Sequence, residues 1–151
     1  MNKLKNNLEL KQKLTNAMMK HGKKKTAEKI LIKSLKLIQK FNKKNHKNLI
    51  KDSVINVTPT FKINKQSSKR GKRKVEKEMP AFVKNDSLRT VLSVNFLVST
   101  SLRNKDLRTF YRKLAQEVIE TSSQKSKSIE QKTEIQKQVL MQKRYLLKFR
   151  W

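Results

Sequence analysis

The chain has no cysteine, two glycines, two prolines, few aromatics (Phe 6, Tyr 2, Trp 1) and only 11 acidic residues in 151. Each shortage excludes something. Without cysteine there is no disulfide, no thiolate nucleophile and no thiolate zinc site. So few glycines and prolines predict long helices joined by few tight turns. Gly22 and Gly71 stand alone, so no glycine-rich loop can cradle a phosphate. The aromatics fall mostly at core-like spacing, which argues against a platform for stacking single-stranded bases. No run approaches the ~20 apolar residues of a membrane span. Residues 1–7 lack the apolar core of a secretory signal and contain no arginine, so neither a secretory nor a cleaved organelle-targeting leader is expected.

The acids are few enough to inspect for catalytic pairs. Glu76 and Glu78 would share one face of a strand, and Glu117 and Glu120 one face of a helix. Neither pair is accompanied by a histidine, cysteine or glycine-rich loop, so they are expected to tune local charge. His21 falls at a helix end, where a cation is mildly favoured, without partners for a metal or a base. The expectation is a non-enzyme with no catalytic residues, metal or cofactor.

Positive charge is what the sequence has in excess. Lys plus Arg number 39 against 11 acids, a formal charge of +28 spread over the whole length. Self-repulsion on this scale penalises the compact free protein, so a polyanionic partner is expected. Lysines supply point charges to phosphates without reading sequence, which fits recognition of folded RNA by shape. At this length a single domain over 1–151 is expected. The Lys-, Asn- and Ile-rich composition fits coding in an A/T-rich genome.

Residues 59–102 organise the rest. A short alternating arm, 60–65, leads to a polar basic tip, 66–74, and a second arm, 75–83, leads back. Phe61 and Ile63 lie two apart and Val75 and Met79 at an even spacing, so each arm is expected to show one apolar face. Gly71 is the one tip position that tolerates positive φ freely. Five of the six residues 69–74 are cationic, and such a tip projects as a basic finger.

Around this finger the periodicity predicts helices. The first carries Leu4, Leu8, Leu14, Ala17 and Met18 and closes on Gly22 as its C′ residue. The second is capped by Thr26, with Ala27, Ile30, Leu31, Leu35 or Leu37, Ile38 and Phe41 inward and Lys29, Lys33, Lys36 and Lys40 outward. After a polar connection at 42–46, a short third helix shows Leu49, Ile50, Val54 and Ile55 and ends before Pro59. The fourth, capped at 85–87, carries Leu88, Val91, Leu92, Asn95 or Phe96, Val98 and Leu102. The fifth carries Leu107, Phe110, Tyr111, Leu114, Val118 and Ile119. A polar link at 121–128 precedes a last helix with Ile135, Val139, Leu146 and Phe149 inward. The fold class is mainly α, six helices with a basic β-hairpin between the third and fourth.

Several stretches in order resemble the small-subunit ribosomal protein S-seven family. Residues 18–30, with His21-Gly22-Lys23-Lys24, resemble its signature, in which a first helix ends at Gly-Lys-Lys and a second begins. Asn56-Val57-Thr58-Pro59 resembles its Asn-Val-x-Pro, and Met79-Pro80 with Val83-Lys84 its second ribbon strand. Lys113-Leu114-Ala115-Gln116-Glu117 resembles Leu-Ala-x-Glu of the fifth helix, and Arg144 with Phe149-Arg150-Trp151 its ending. The sequence departs from the family where a longer tip with only Gly71 replaces paired glycines. It departs again at Ser87 and Leu88, with an arginine displaced to Arg89, at Asn95-Phe96, and at Lys143. This drift, with the composition, resembles a mitochondrial, organelle-encoded member.

The resemblance implies a protein that binds the 3′ major domain of small-subunit ribosomal RNA, nucleates assembly of the subunit head and lines the tRNA exit region. The partners implied are that RNA, neighbouring small-subunit proteins, and nearby mRNA and exit-site tRNA. The residues expected at RNA begin with Lys20, Lys23, Lys24 and Lys25 at the first turn. On the finger they are Lys62, Lys65, Lys69, Arg70, Lys72, Arg73 and Lys74. Lys84, Arg89, Arg103 and Lys113 follow, and then Arg144, Arg150 and Trp151 as a terminal anchor. Two other readings fit the residues alone: a helix-turn-helix DNA reader using the first two helices, and an auxiliary helical domain of an RNA-processing enzyme.

Overall fold

The computed structural model describes residues 2–41, 46–70, 73–102 and 109–142. Among these are six helices and one hairpin: α1 Asn2–Met18, α2 Lys24–Phe41, α3 His46–Val57, β1 Phe61–Arg70, β2 Arg73–Phe82, α4 Asp86–Leu102, α5 Phe110–Ser122 and α6 Lys127–Met141. None of these helices is long and apolar enough to cross a membrane.

The core forms where five helices meet. Leu14 and Met18 of α1, Ala27 and Leu31 of α2, Val54 and Val57 of α3, Val94, Leu97 and Val98 of α4, and Phe110 and Leu114 of α5 form one buried cluster. Ile38, Ala115 and Val118 form a second between α2 and α5. Serines help the helices approach. Ser34, Ser53, Ser93 and Ser101 are all buried. Each hydroxyl donates to a carbonyl three or four residues back, so no hydrogen bond is lost in the core.

α4 lies against α1, α3, α5 and α6. Its buried residues are accordingly Ser93, Val94, Leu97, Val98, Thr100 and Ser101. The expected stripe was rotated: Leu88 is exposed, and Val91 and Leu92 are only half-buried. Two other expected core residues face out, Phe41 at 78% exposure and Ile55 at 67%. Leu107, Leu146 and Phe149 lie outside the described residues.

The turn between α1 and α2 differs from the expected cap. α1 stops at Met18, and His21 (φ 51°) and Gly22 (φ 71°) are both left-handed. Lys23 N–H donates to the Lys20 carbonyl at 3.1 Å, the pattern of a type I′ turn. Gly22 therefore serves the turn and not the helix as C′. Thr26 is not the cap of α2 either: it lies inside the first turn and its hydroxyl donates back to the Lys23 carbonyl at 2.6 Å. The fourth helix does start as expected, with Asn85 Oδ1 accepting from Ser87 N–H at 2.9 Å.

The stretch expected as a polar link is a buried junction. α5 ends in a Schellman arrangement: Lys125 N–H donates to the Glu120 carbonyl and Gln124 N–H to the Thr121 carbonyl. Gln124 takes the left-handed position at φ 61°. Ser126 then caps α6, its side chain accepting from Ile129 N–H. Thr121 and Ser128 are fully buried, bonded to Ser126 and Thr100 respectively. Glu117, 8% exposed, accepts from both the N–H and the hydroxyl of Ser128. The carboxylate expected to tune local charge thus binds α6 to α5.

Asn56 plays a similar part at the end of α3. Its side chain donates to the Thr121 carbonyl at 3.0 Å, and its own carbonyl accepts from Lys132 Nζ at 2.7 Å. One residue joins α3 to α5 and α6. Val57 and Pro59 beside it are fully buried. The chain therefore leaves the body at a fixed point, and the hairpin starts two residues on, at Phe61.

Candidate nucleic-acid interface

β1 and β2 pair antiparallel from Phe61↔Phe82 to Arg70↔Arg73. The strands therefore include most of the stretch expected as a loose tip, and only residues 71 and 72 separate them. Gly71 and Lys72 lie outside the described residues. Ten residues at about 3.3 Å each make an arm of roughly 33 Å. Polar residues suffice because the ladder is held by backbone hydrogen bonds.

Directly opposed residues of an antiparallel pair share a face. One face therefore holds Phe61, Ile63, Lys65, Ser67 and Lys69 with Phe82, Pro80, Glu78, Glu76 and Lys74. The other holds Lys62, Asn64, Gln66, Ser68 and Arg70 with Ala81, Met79, Lys77, Val75 and Arg73. The apolar residues expected on the two arms thus belong to opposite faces: Phe61 and Ile63 on the first, Val75 and Met79 on the second.

The first face leans on the body. Phe61 and Phe82 meet edge to face with centroids 5.8 Å apart, and Pro80 is fully buried. The Arg89 guanidinium of α4 lies over the Phe82 ring at 5.2 Å. We call this the inner face. Further out on it, Lys65 Nζ meets Glu78 Oε1 at 3.2 Å. That exposed pair adds at most ~1 kcal/mol to stability, but it neutralises two charges on the inner face.

The other expected RNA residues spread over several elements. Lys20, Lys23, Lys24 and Lys25 are all exposed on and beside the type I′ turn. The first turn of α2, which they flank, contains no acid. Lys84 is exposed where the ribbon returns to the body, and Lys113 is half-buried on α5. Arg89 is engaged within the protein: Nε donates to the Val83 carbonyl at 2.6 Å, and Nη1 stands 3.6 Å from Asp86. Its role here is to fasten the ribbon base to α4. Lys69, Arg70, Arg73 and Lys74 are placed by register at the ribbon's far end. Arg103, Arg144, Arg150 and Trp151 lie outside the described residues.

The sequence reading missed one basic cluster. Tyr111, expected in the core, is only half-buried, with Lys33 Nζ and the Arg112 guanidinium each 5.8 Å from its ring centroid. Arg112 Nε also donates to the Tyr111 hydroxyl at 3.2 Å. The lysines of α2 that helical spacing placed outward and the adjacent Arg112 form a cationic surface that was not among the expected RNA residues. A family model described as ribosomal protein S7p/S5e matches residues 1–143.

Proposed function

The chain belongs to the ribosomal protein S7p/S5e family, and from that premise we propose that it binds the 3′ major domain of the small-subunit ribosomal RNA. In this reading it nucleates assembly of the subunit head and lines the tRNA exit region, close to mRNA and exit-site tRNA. As a member of the family it is a non-enzymatic component of the small ribosomal subunit, with ribosomal RNA and other ribosomal proteins as partners.

The ribbon carries the finer reading. Between Phe61 and Phe82 there are eight cations (Lys62, Lys65, Lys69, Arg70, Lys72, Arg73, Lys74, Lys77) and two acids. The two whose side chains are described, Lys62 and Lys65, lie outside the buried core. Neutralising RNA phosphates gives a reason for an extended arm so charged. The lysine-rich composition and the departures at Ser87, Leu88, Asn95, Phe96 and Lys143 support a place in the mitochondrial ribosome.

The test is binding of the purified protein to transcripts of the 3′ major and 5′ domains, with a duplex DNA of equal charge as control. Tighter binding to the 3′ major domain, with a bounded footprint there, is expected. Equal binding to all three probes would overturn the assignment, and preference for the DNA would favour the helix-turn-helix reading.

A further inference from the structure

We propose that the cleft between α2 and α5 takes one unstacked nucleobase of the bound RNA against Phe41, with the adjoining phosphates on Lys33 and Arg112. This rests on the RNA-binding reading above and adds to it a contact on the helical body, away from the ribbon.

Phe41, expected in the core, is 78% exposed, and Leu37 one turn before it is half-buried. The two line one wall of a cleft of about 410 Å³, and Ala115 and Ile119 of α5 line the other. Leu37 packs against the buried cluster of Ile38, Ala115 and Val118, so the floor of the cleft belongs to the core while the ring at its rim does not. An aromatic ring left in water beside an apolar cleft gains its burial from a partner.

Charge gives the cleft a direction. Lys33, Leu37 and Phe41 follow one another at four-residue spacing along α2, as Arg112, Gln116 and Glu120 do along α5. Lys33 lies by Tyr111, and Ile38 packs with Ala115 and Val118, so the two helices run the same way. At the first end Lys33 Nζ and the Arg112 guanidinium both stand 5.8 Å from the Tyr111 ring centroid. The bond from Arg112 Nε to the Tyr111 hydroxyl holds the guanidinium there. Phe41 and Glu120 belong to the second end, eight residues or about 12 Å further along. Gln116 Nε2 donates to Glu120 Oε1 at 2.7 Å between them.

A nucleotide unites the groups this arrangement suits. Its flat base stacks on an aromatic side chain, its N–H edges find acceptors in an amide and a carboxylate, and its phosphates pair with arginine and lysine. Glu120 repels phosphate, so the base belongs at its end and the phosphates at the other. The competing occupant is an acidic protein segment with one apolar anchor. RNA is favoured because one nucleotide supplies both the ring and the charge, and because the whole chain is so strongly cationic.

The test uses Phe41→Ala, Phe41→Tyr, Arg112→Gln and Ile32→Ala. Ile32 is exposed on the same helix outside the cleft and controls for lost apolar surface alone. Circular dichroism and thermal melting first establish that all four fold like the parent. Affinity for the 3′ major domain transcript, with no other protein present, is then measured across a salt series. Phe41→Ala is expected to weaken binding about 5- to 140-fold with the salt slope unchanged, the loss of one stacked base. Phe41→Tyr and Ile32→Ala should stay near the parent. Arg112→Gln should flatten the slope of log affinity against log salt by about 0.7–0.9. Phe41→Ala binding like the parent, or Ile32→Ala losing as much, overturns the proposal. If Phe41→Ala binds RNA normally but enters small subunits poorly, the occupant is a protein and the proposal falls equally. A parent that binds the 3′ major domain no better than the 5′ domain overturns the functional reading instead, and the variants compared on that same RNA still decide the cleft.

Discussion

Glu117 and Ser128 are joined twice: one carboxylate oxygen, Oε1, accepts the Ser128 N–H at 3.0 Å and its hydroxyl at 2.6 Å. Ser128 lies in the first turn of α6, where backbone N–H groups lack helical partners and negative charge is favoured. The carboxylate therefore completes the start of α6 from within α5.

Glu117→Ala should leave both donors of Ser128 buried without that acceptor and cost about 1–3 kcal/mol. Glu117→Gln retains an acceptor oxygen and should cost less. Urea denaturation of the free protein measures both. An alanine variant as stable as the parent would mean that the pair does not hold α6.

Two of the left-handed positions lead to opposite forecasts. Gly22 sits at φ 71°, and a Cβ built there meets nothing within 4 Å. Gly22→Val should therefore cost about 1–2 kcal/mol from backbone strain alone, and Gly22→Asn less. Gln124 occupies, at φ 61°, the position of the Schellman turn that glycine usually fills. Gln124→Gly should raise stability by about 0.5–1 kcal/mol, because relieved strain outweighs the added freedom of the unfolded chain. Melting temperatures moving in the same direction for Gly22→Val and Gln124→Gly would contradict the turn assignments.

Lys132 gives a pH-dependent signature. Burial pushes its pKa below the ordinary lysine value. Between the lowered folded-state pKa and the ordinary value, the unfolded chain holds more protons, so stability rises with pH there. This contribution is complete above the ordinary value and is lost as pH falls through the folded pKa. The readout is the parent's stability minus that of Lys132→Met. That difference should increase as pH rises through the window. A flat difference would show that Lys132 is not desolvated beside Asn56.

Legibility followed the kind of contact. α2 and α5 showed their buried sides in sequence because each turns one stripe to the core, as Leu31, Ile38, Leu114 and Val118 do. α4 was harder to orient because partners on several sides bury small polar residues such as Ser93 and Thr100, which carry no apolar period. The hairpin's existence, place and span (60–83 expected, Phe61 to Phe82 observed) were readable, but not how far its strands pair into the tip. Ser67, Ser68 and Lys69 extend β1 through backbone pairing, which leaves no trace in side-chain alternation. Residues 121–128 looked like a solvated link because hydroxyls that satisfy one another inside the protein have the same composition as hydroxyls that face water. The Asn56 and Glu117 motifs pointed to the family, and only the coordinates showed that both residues hold helices together. The basic residues were countable from the start; the division of the ribbon's charges between its faces required the register.

The proposed place of this protein is the small subunit of a mitochondrial ribosome. It is tested most directly by sedimenting a native mitochondrial lysate on a density gradient and following the protein across the fractions. Co-migration with the small-subunit peak and a shift to slow fractions after ribonuclease treatment are expected. A protein found among the free fractions before ribonuclease, or in the large-subunit peak, would contradict it.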